Sequence, residues 1–398
     1  MSQTRSSSER RICQIKRQRT RCLEKFYRPR SLKFNVTSTS IESSPRLTLV
    51  TIATYTPGYA SKFPVLPIRT SHAGSSLPAP TSIPVKIYLT FDVEVWCGGW
   101  KDLDARFPSH FERYVYGRSR KGEYALPKTL DILDRHGLKG VFFVEPLFAA
   151  RFGIEPLATI VDLIGARNHD IELHLHPEWA DEIQPLPFPG VTGKRQHLWH
   201  YSCDEQTALI ALGRSLLAQA GCDTIKAFRA GSFACNHDTY RALRKLGISI
   251  DSSLHAVLPD SGIDLRKQLG FFHPLEFEEV RILPLTVFRD GFGQLRPAQI
   301  GACSFAELRD AIETAADNQT EHFVVLSHNF EMLKQGRSEP DALVVSRFER
   351  LCAFLAEQQG RIEVSTLSDP PIRIGTQSHP PLARAGFACA PANAHAEA

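Results

Sequence analysis

Two carboxylates separated by one residue, Asp92 and Glu94, follow directly on an apolar run in this sequence. The run, residues 87–91, has the β-branched and aromatic composition of a strand. Side chains two positions apart on a strand point to the same side, so both acids are expected to project into one space. Burying such charges without a partner costs roughly several kcal/mol. The pair therefore indicates either a site that holds a metal ion, a base or water, or two solvated acids where a loop begins.

Four further apolar runs end in residues of the kinds that bind metals or transfer protons. These residues are His174, His176 and Glu178 after one run, and Arg229, Asp251 and His328 after the others. Each also has a structural explanation, because a lone histidine after a strand is more often a hydrogen-bonded residue than a ligand. Arg229 could pair with Asp92 or Asp251, and Asp251 could cap the Ser-Ser turn that follows it. Together, however, a His-x-His pair and a carboxylate supply three ligands for a divalent ion and leave positions open for water, as hydrolytic zinc sites do.

The segments that must position these residues alternate between short apolar runs and amphipathic stretches. Strands are predicted at 86–91, 140–145, 170–174, 225–229, 248–251, 281–288, 323–327 and 362–365, and a polar loop at 98–124. Helices are predicted between the strands, with starts marked by Pro127, by a cap at Asn236, and by capping boxes that begin at Ser202 and Ser304. Fully apolar strands that alternate with helices predict a parallel sheet covered by helices, either open or closed into a distorted barrel. In both folds, functional groups gather at the carboxyl ends of the strands.

The alternation is confined to the middle of the chain, so one catalytic domain is predicted at 85–369. Residues 1–84, rich in Ser, Arg, Thr and Pro, and the Pro-rich and Ala-rich residues 370–398 are predicted to be disordered. Residues 1–33 contain eleven Lys and Arg and two Glu, a net charge of about +9, whereas the whole chain carries +4. The folded part is therefore mildly acidic and is not expected to bind nucleic acid. The basic extension could be a transit peptide, a nucleic-acid-binding arm or a segment without function, and we favour the last.

Cysteine usage and hydropathy bear on the cellular compartment. The nine cysteines are odd in number and include no C-x-x-C pair. This pattern indicates free thiols in a reducing compartment and argues against a disulfide framework or a zinc ribbon. No apolar run approaches the ~18 residues that a membrane span needs, and no convincing secretory signal is present. A cytoplasmic location is therefore predicted.

The order of these motifs resembles the polysaccharide deacetylase (NodB-homology, carbohydrate esterase family 4) superfamily. The motifs are Leu-Thr-Phe-Asp, the His-containing strand end, Phe-Arg-Ala-Gly-Ser, Gly-Ile-Ser-Ile-Asp-Ser-Ser-Leu and Leu-Ser-His, and they extend over nearly all of residues 86–367. The resemblance implies a distorted (β/α) barrel of about seven parallel strands. It also implies metal-dependent removal of an acetyl group from an N-acetylated sugar of a polysaccharide, oligosaccharide or glycolipid precursor. Hydrolysis of another amide, such as a cyclic imide or ureide, and non-catalytic carbohydrate binding are the alternatives within the superfamily.

The resemblance further implies a base and a metal site. Asp92 corresponds to the general base, and Glu94 to the metal-binding second acid, although Val93 separates the two here. His174 corresponds to the first histidine ligand, and the third ligand is either His176 or Glu178. We favour His176, because histidine prevails over glutamate as a ligand for zinc-like metals and Pro177 stiffens the turn after it. The expected cofactor is a divalent metal, with Zn²⁺ preferred.

The remaining motif residues correspond to the groups that serve the base and the leaving amine. Arg229 is expected to orient the base, although the Pro-Tyr of the family motif is replaced by Gly231 and Ser232. His328 corresponds to the catalytic acid and Asp251 to the carboxylate that holds it, which would raise the histidine's pKa and favour the protonated form. Aromatic residues in the loops could stack on sugars or build a lid; they are Trp96, Trp100, Tyr114, Tyr116, Trp179 and Trp199.

Overall fold

The computed structural model describes residues 84–257, 274–334, 339–358 and 360–368. The predicted extensions lie outside these ranges, apart from residue 84. Their disorder stays a prediction.

The strands and helices of the described ranges, numbered in chain order, have the following bounds. The strands are β1 (Val85–Val93), β2 (Arg118–Ser119), β3 (Gly122–Glu123), β4 (Val141–Val144), β5 (Asp170–Leu175), β6 (Ala227–Ala230), β7 (Ile250–Asp251), β8 (Leu275–Phe277), β9 (Val280–Ile282), β10 (Val287–Arg289), β11 (Leu295–Pro297), β12 (His322–His328) and β13 (Ile362–Val364). The α-helices are α1 (Leu103–Phe111), α2 (Leu126–Arg135), α3 (Ala149–Phe152), α4 (Glu155–Gly165), α5 (Cys203–Gln219), α6 (His237–Lys245), α7 (Phe305–Asp317) and α8 (Ala342–Glu357).

One curled sheet holds the domain together. Its strands follow the order β12-β1-β4-β5-β6-β7-β9-β8, and β13 pairs with the first part of β1. Every pair is parallel except β8 with β9. Beyond β9 the chain returns to β12, where the Leu326 N–H donates to the Ala298 carbonyl at 2.8 Å. This mostly parallel half-barrel confirms the predicted α/β fold.

Alternate residues of each strand pack into two different layers. On β4, Phe142 and Val144 belong to an outer core between the sheet and the helices, whereas Val141 and Phe143 face the concave side. We call the concave layer the inner core; its members are Tyr88, Val141, Phe143, Ala227, Phe233, Ile250, Leu283, Leu285, Val324, Leu326 and Leu367. The period of two therefore decides whether a residue at a strand end points into the half-barrel or toward a helix.

The helix starts follow the predicted capping chemistry. Ser202 accepts from the Glu205 N–H while the Glu205 carboxylate accepts from the Ser202 N–H, at 3.3 and 2.8 Å. Ser304 and Glu307 repeat the arrangement at the start of α7, and Asn236 caps α6. These reciprocal bonds satisfy N–H groups that the first helical turn leaves without partners.

Two element predictions are wrong. The strand predicted at 281–288 is divided between β9 and β10, because Pro284 lacks the N–H that a continuing ladder would need. The loop predicted at 98–124 contains α1, a π-helical turn at Glu112–Tyr116 and the β2–β3 hairpin. Phe107 in α1 and Val115 in the π turn are buried, so part of this segment forms core despite its polar composition.

Candidate active site

The ionisable strand ends converge at the carboxyl edge of the sheet. Asp92, Glu94, His174, His176 and Arg229 are all at most 7 % exposed. They continue the concave-side alternation of β1, β5 and β6, because the side chains of these neighbouring strands share one face. One ligand atom from each of Asp92, Glu94 and His328 lies within 4.8 Å of the other two. Acids, imidazoles and a guanidinium thus surround one small space.

Asp92 is held by a fully buried ion pair with Arg229. The guanidinium Nη1 donates to Asp92 Oδ1 at 2.5 Å. Three of its other four N–H donors are directed at the Ser252 carbonyl at 3.1 Å and at the Thr90 and Ser252 hydroxyls at 3.1 and 3.0 Å. A buried charge is tolerated when its partners are this complete. The second carboxylate oxygen, Oδ2, lies 4.0 Å from His328 Nε2, so it faces the other reactive groups.

Glu94 places one carboxylate oxygen between two imidazoles. Its Oε1 lies 3.1 Å from His174 Nε2 and 2.9 Å from His176 Nε2. Burial by itself raises the pKa of Glu94, but the neighbouring histidines, His176 foremost, hold it well below its usual value. Burial by itself lowers the pKa of His176, but the carboxylates of Glu94 and Glu178 outweigh this effect and raise the pKa well above its usual value. The arrangement of Glu94, His174 and His176 is therefore stable only with positive charge between the carboxylate and the rings.

The tautomers of both histidines suit a metal ion. His174 Nδ1 lies 2.8 Å from the Arg229 carbonyl and His176 Nδ1 lies 3.3 Å from Glu178 Oε2, and both partners can only accept. Each neutral ring must then carry its proton on Nδ1 and direct the Nε2 lone pair at Glu94 Oε1. The lone pairs of Glu94 Oε1 and of the two Nε2 atoms then face one another, and they repel each other unless a cation or protons lie between them. The donor set therefore fits a divalent ion, to which Glu94 would offer one oxygen ligand and His174 and His176 two nitrogen ligands.

Glu178, the alternative ligand, is placed behind His176 rather than beside it. Its carboxylate accepts from the Nδ1 side of the ring, opposite to the Nε2 atom that faces Glu94. A carboxylate in this position fixes the ring orientation and the tautomer of a metal-binding histidine.

Gly231 leaves the space that the His176 ring occupies. A Cβ atom at this position would lie 2.6–2.8 Å from three atoms of the imidazole. The following Ser232 adopts a left-handed backbone with φ of 55°. The missing Cβ at Gly231 therefore leaves room for the His176 ring just after β5.

His328 is paired with Glu331, not with Asp251. His328 Nδ1 lies 2.9 Å from Glu331 Oε1, one turn further along the chain. Burial lowers the pKa of His328, but the hydrogen bond and the charge of Glu331, with smaller contributions from Glu94 and Asp92, raise it to about 9. The imidazolium is therefore the prevailing form at neutral pH, with its Nε2 toward Asp92. Glu331 was not predicted, although its i, i+3 spacing from His328 is a local signal.

Asp251 points away from the site. On β7, Ile250 belongs to the inner core, so Asp251 faces the helices. There it accepts from the Tyr240 hydroxyl at 3.2 Å and from the Ser253 N–H at 3.1 Å. The predicted pairing of Asp251 with His328 is wrong for this reason of alternation, and the turn-capping alternative is the one observed.

Glu145 is an additional buried acid near the site. It follows Val141 and Phe143 on the concave side, at the end of β4, between the strands that carry Glu94 and His176. Its Oε1 accepts from the Leu147 N–H at 2.9 Å, and its Oε2 is buried without a hydrogen-bond partner among the described residues. Burial raises its pKa to about 8. Alternation along the predicted strand would have identified it.

Aromatic side chains border the reactive groups on two sides. Trp96 donates its indole N–H to Glu94 Oε2, and its ring centroid lies 4.7 Å from that of His176. On the other side, the Phe330 ring lies 5.3 Å from both the His328 and the Tyr114 rings. Trp96, Tyr114 and Phe330 are partly exposed, so part of each side chain is accessible beside the acids and imidazoles.

The solved structures that this chain resembles are distant from it in sequence. No protein-family model matches the chain, and no curated protein matches it. Among solved structures, a proposed polysaccharide deacetylase from Mycobacterium smegmatis is 19 % identical, with a TM-score of 0.46, and the match covers 76 % of this chain and 99 % of that one. A family 4 carbohydrate esterase from Streptomyces lividans is 15 % identical with a TM-score of 0.33, covering 72 % and 100 %. A family 4 pseudoenzyme from Bacillus anthracis is 11 % identical with a TM-score of 0.35, covering 71 % and 64 %.

Two further sequence predictions are tested within the described ranges. The six cysteines found there are free thiols, as predicted. No helix in these ranges combines the length and the apolar character that crossing a membrane requires.

Proposed function

We propose that this chain is a metal-dependent hydrolase that removes an acetyl group from an N-acetylated sugar of a polysaccharide, oligosaccharide or glycolipid precursor. The observation that carries the proposal is the convergence of a carboxylate base, Asp92, and a protonated histidine, His328, beside a three-ligand group for a divalent ion. This combination suits amide hydrolysis, because water must lose a proton while the departing nitrogen gains one.

The base and the acid divide these proton transfers. Asp92 Oδ2 takes a proton from the attacking water, while Arg229 on Oδ1 prevents the carboxylate from turning away. His328 Nε2 gives its proton to the nitrogen as the C–N bond breaks, and Glu331 on Nδ1 holds the ring in place. The new C–O bond completes acetate, and the sugar leaves with a free amine. No covalent intermediate with the protein is needed.

The metal contribution is confined to the carbonyl and the water. Glu94, His174 and His176 would hold a divalent ion, which would polarise the acetyl carbonyl and lower the pKa of water toward about 7. The two imidazoles and single carboxylate support zinc as the preferred ion, since soft and borderline nitrogen ligands favour it over Mg²⁺ or Ca²⁺.

The aromatic border supports a sugar as the substrate. Trp96 lies on the side of Glu94, and Tyr114 and Phe330 lie on the side of His328. Partly exposed rings on both sides of the acids can pack against the apolar faces of pyranose rings that bring the acetamide between them.

The test is deacetylation of N-acetylated chito-oligosaccharides by the zinc-loaded protein, followed by mass spectrometry. The expected product has lost acetyl groups and carries free amines. Asp92→Asn and His328→Ala should each reduce the rate by at least about a hundredfold, the lower end for one proton-transfer group. Thermal unfolding checks that both variants are folded. Activity close to that of the wild type in either variant removes that residue from the chemistry. Activity on cyclic imides with none on acetylated sugars selects the alternative amide substrate.

A further inference from the structure

Trp96 separates the two oxygens of the Glu94 carboxylate. Oε1 faces both histidine Nε2 atoms at 2.9–3.1 Å, whereas Oε2 accepts the indole N–H of Trp96. An indole N–H is a donor without any lone pair to offer a metal, so it binds a carboxylate oxygen without competing for the ion. A hydrogen bond to an ionised acceptor is also about twice as strong as one between neutral groups. Each oxygen therefore has its own partner.

The indole is fixed in this position by a row of aromatic contacts. Its ring meets His176 edge to face at 4.7 Å and Trp100 at 6.3 Å. Trp100 in turn meets Trp179 edge to face at 4.9 Å, and the Lys194 ammonium lies 3.8 Å from the Trp100 ring centre. The row joins the loop after β1 to the turn after β5, so the indole cannot swing off Glu94 without disturbing both segments.

We propose that Trp96 is a positioning residue that restricts Glu94 to one metal-binding oxygen. The inference rests on the metal site proposed above. Catalytic zinc sites keep three protein ligand atoms and leave the remaining positions open. With Oε2 held by Trp96, the protein supplies Glu94 Oε1 and two imidazole nitrogens, which is that number. If Oε2 were free to bind as well, Glu94 would take up a position that the reaction needs for water or the acetyl carbonyl.

Cobalt substitution tests this inference without relying on turnover. The visible absorption of Co²⁺ weakens as its coordination number rises. Trp96→Phe keeps an aromatic ring against His176 and removes the N–H, so its Co²⁺ form should absorb more weakly than that of the wild type. The zinc form should lose about ten- to a hundredfold in kcat, as for other groups that orient metal ligands, with KM nearly unchanged. Trp100→Phe is the matched control, because it keeps an aromatic ring in the row and leaves the bond from Trp96 to Glu94 in place, so it should retain the wild-type spectrum.

The outcomes are distinguishable. A Trp96→Phe spectrum equal to that of the wild type, with Co²⁺ bound, overturns the role of Trp96 and leaves the proposed function intact. Failure of the wild-type chain to bind Co²⁺ or Zn²⁺ overturns the metal site and this inference with it. If Trp96→Phe does not fold, a crystal structure of the zinc-bound wild type decides: one Glu94 oxygen on the metal and the other on Trp96 supports the inference, and two oxygens on the metal overturn it.

Discussion

Removing the negative charge of Glu331 should move the pH range in which the protein is active. Glu331→Gln keeps the size of the side chain and removes the charge 2.9 Å from His328 Nδ1. The pKa of His328 is raised from 6.5 to about 9 in the folded protein. At 1.36 kcal/mol for each pH unit, the carboxylates favour the imidazolium by about 3 kcal/mol net of burial. Glu331 is the largest favourable contributor, and Glu94 and Asp92 add less, so most of this preference should disappear in the variant.

The sign of the pH effect follows from the proposed role of His328 as the acid. It must be protonated to act, so wild-type kcat/KM should fall as the pH rises through about 9. If the pKa falls to about 7 in Glu331→Gln, roughly one tenth of the molecules carry the imidazolium at pH 8, against about nine tenths in the wild type. The basic limb of the kcat/KM profile should therefore lie at least about one pH unit lower. The assay is deacetylation rate against pH from about 6 to 10 at saturating zinc.

Ser327→Ala is the matched control for this prediction. The Ser327 hydroxyl donates to the other oxygen of Glu331 at 3.1 Å, so the variant loses a bond to the same carboxylate and keeps its charge. It should lose stability, by about 1 kcal/mol for one hydrogen bond, and retain the wild-type basic limb. The reasoning is refuted if Glu331→Gln and the wild type share the same basic limb, because the charge of Glu331 would then not govern the proton on His328.

Three further predictions address the alternation, the glycine and a buried acid. Asp251→Asn should keep kcat/KM within about twofold of the wild type, because its partners lie on the helix side; a loss as large as that of an acid or base would restore its predicted catalytic role. Gly231→Ala should weaken Zn²⁺ binding about ten- to a hundredfold by calorimetry, because its Cβ would press on the His176 ring; wild-type affinity would contradict this. Burial raises the pKa of Glu172 from 4.5 to about 8, so ionised Glu172 opposes folding increasingly between these pH values. Glu172→Gln should therefore gain in melting temperature over the wild type as the pH rises from about 4.5 to 8, and a constant difference would contradict the shift.

The sequence predicts the sheet and most of the site because both follow from periodicity. Apolar runs locate β1, β4, β5 and β12, and the ionisable residues after them must meet because parallel strands place their carboxyl ends on one edge. Alternation along the other strands accounts for two more residues. Asp251 follows Ile250 of the inner core and so faces the helices, whereas Glu145 shares the concave side with Val141 and Phe143.

Other features cannot be read from periodicity. The turn after β12 places Glu331 beside His328. The Glu331 carboxylate also accepts from the Gly301 N–H at 2.8 Å and from the Gln299 side-chain amide at 2.6 Å. These donors come from a segment thirty residues earlier in the chain. The bond between Trp96 and Glu94 likewise depends on how an aromatic loop folds, and its composition does not determine this. Contacts of this kind can be identified only from the tertiary structure.

The charges of the site bear on how it would accept the proposed metal ion. Without an ion, Glu94 Oε1 needs a proton on at least one of the rings that face it, and the carboxylates of Glu94 and Glu178 raise the pKa of His176. A divalent ion needs the same Nε2 lone pair, so it must displace the proton, and its affinity must rise with pH until His176 is neutral. Glu178 behind His176 stabilises positive charge on the ring in both states. The second carboxylate therefore makes the competing proton harder to remove and also makes the ring a stronger ligand once the proton has left.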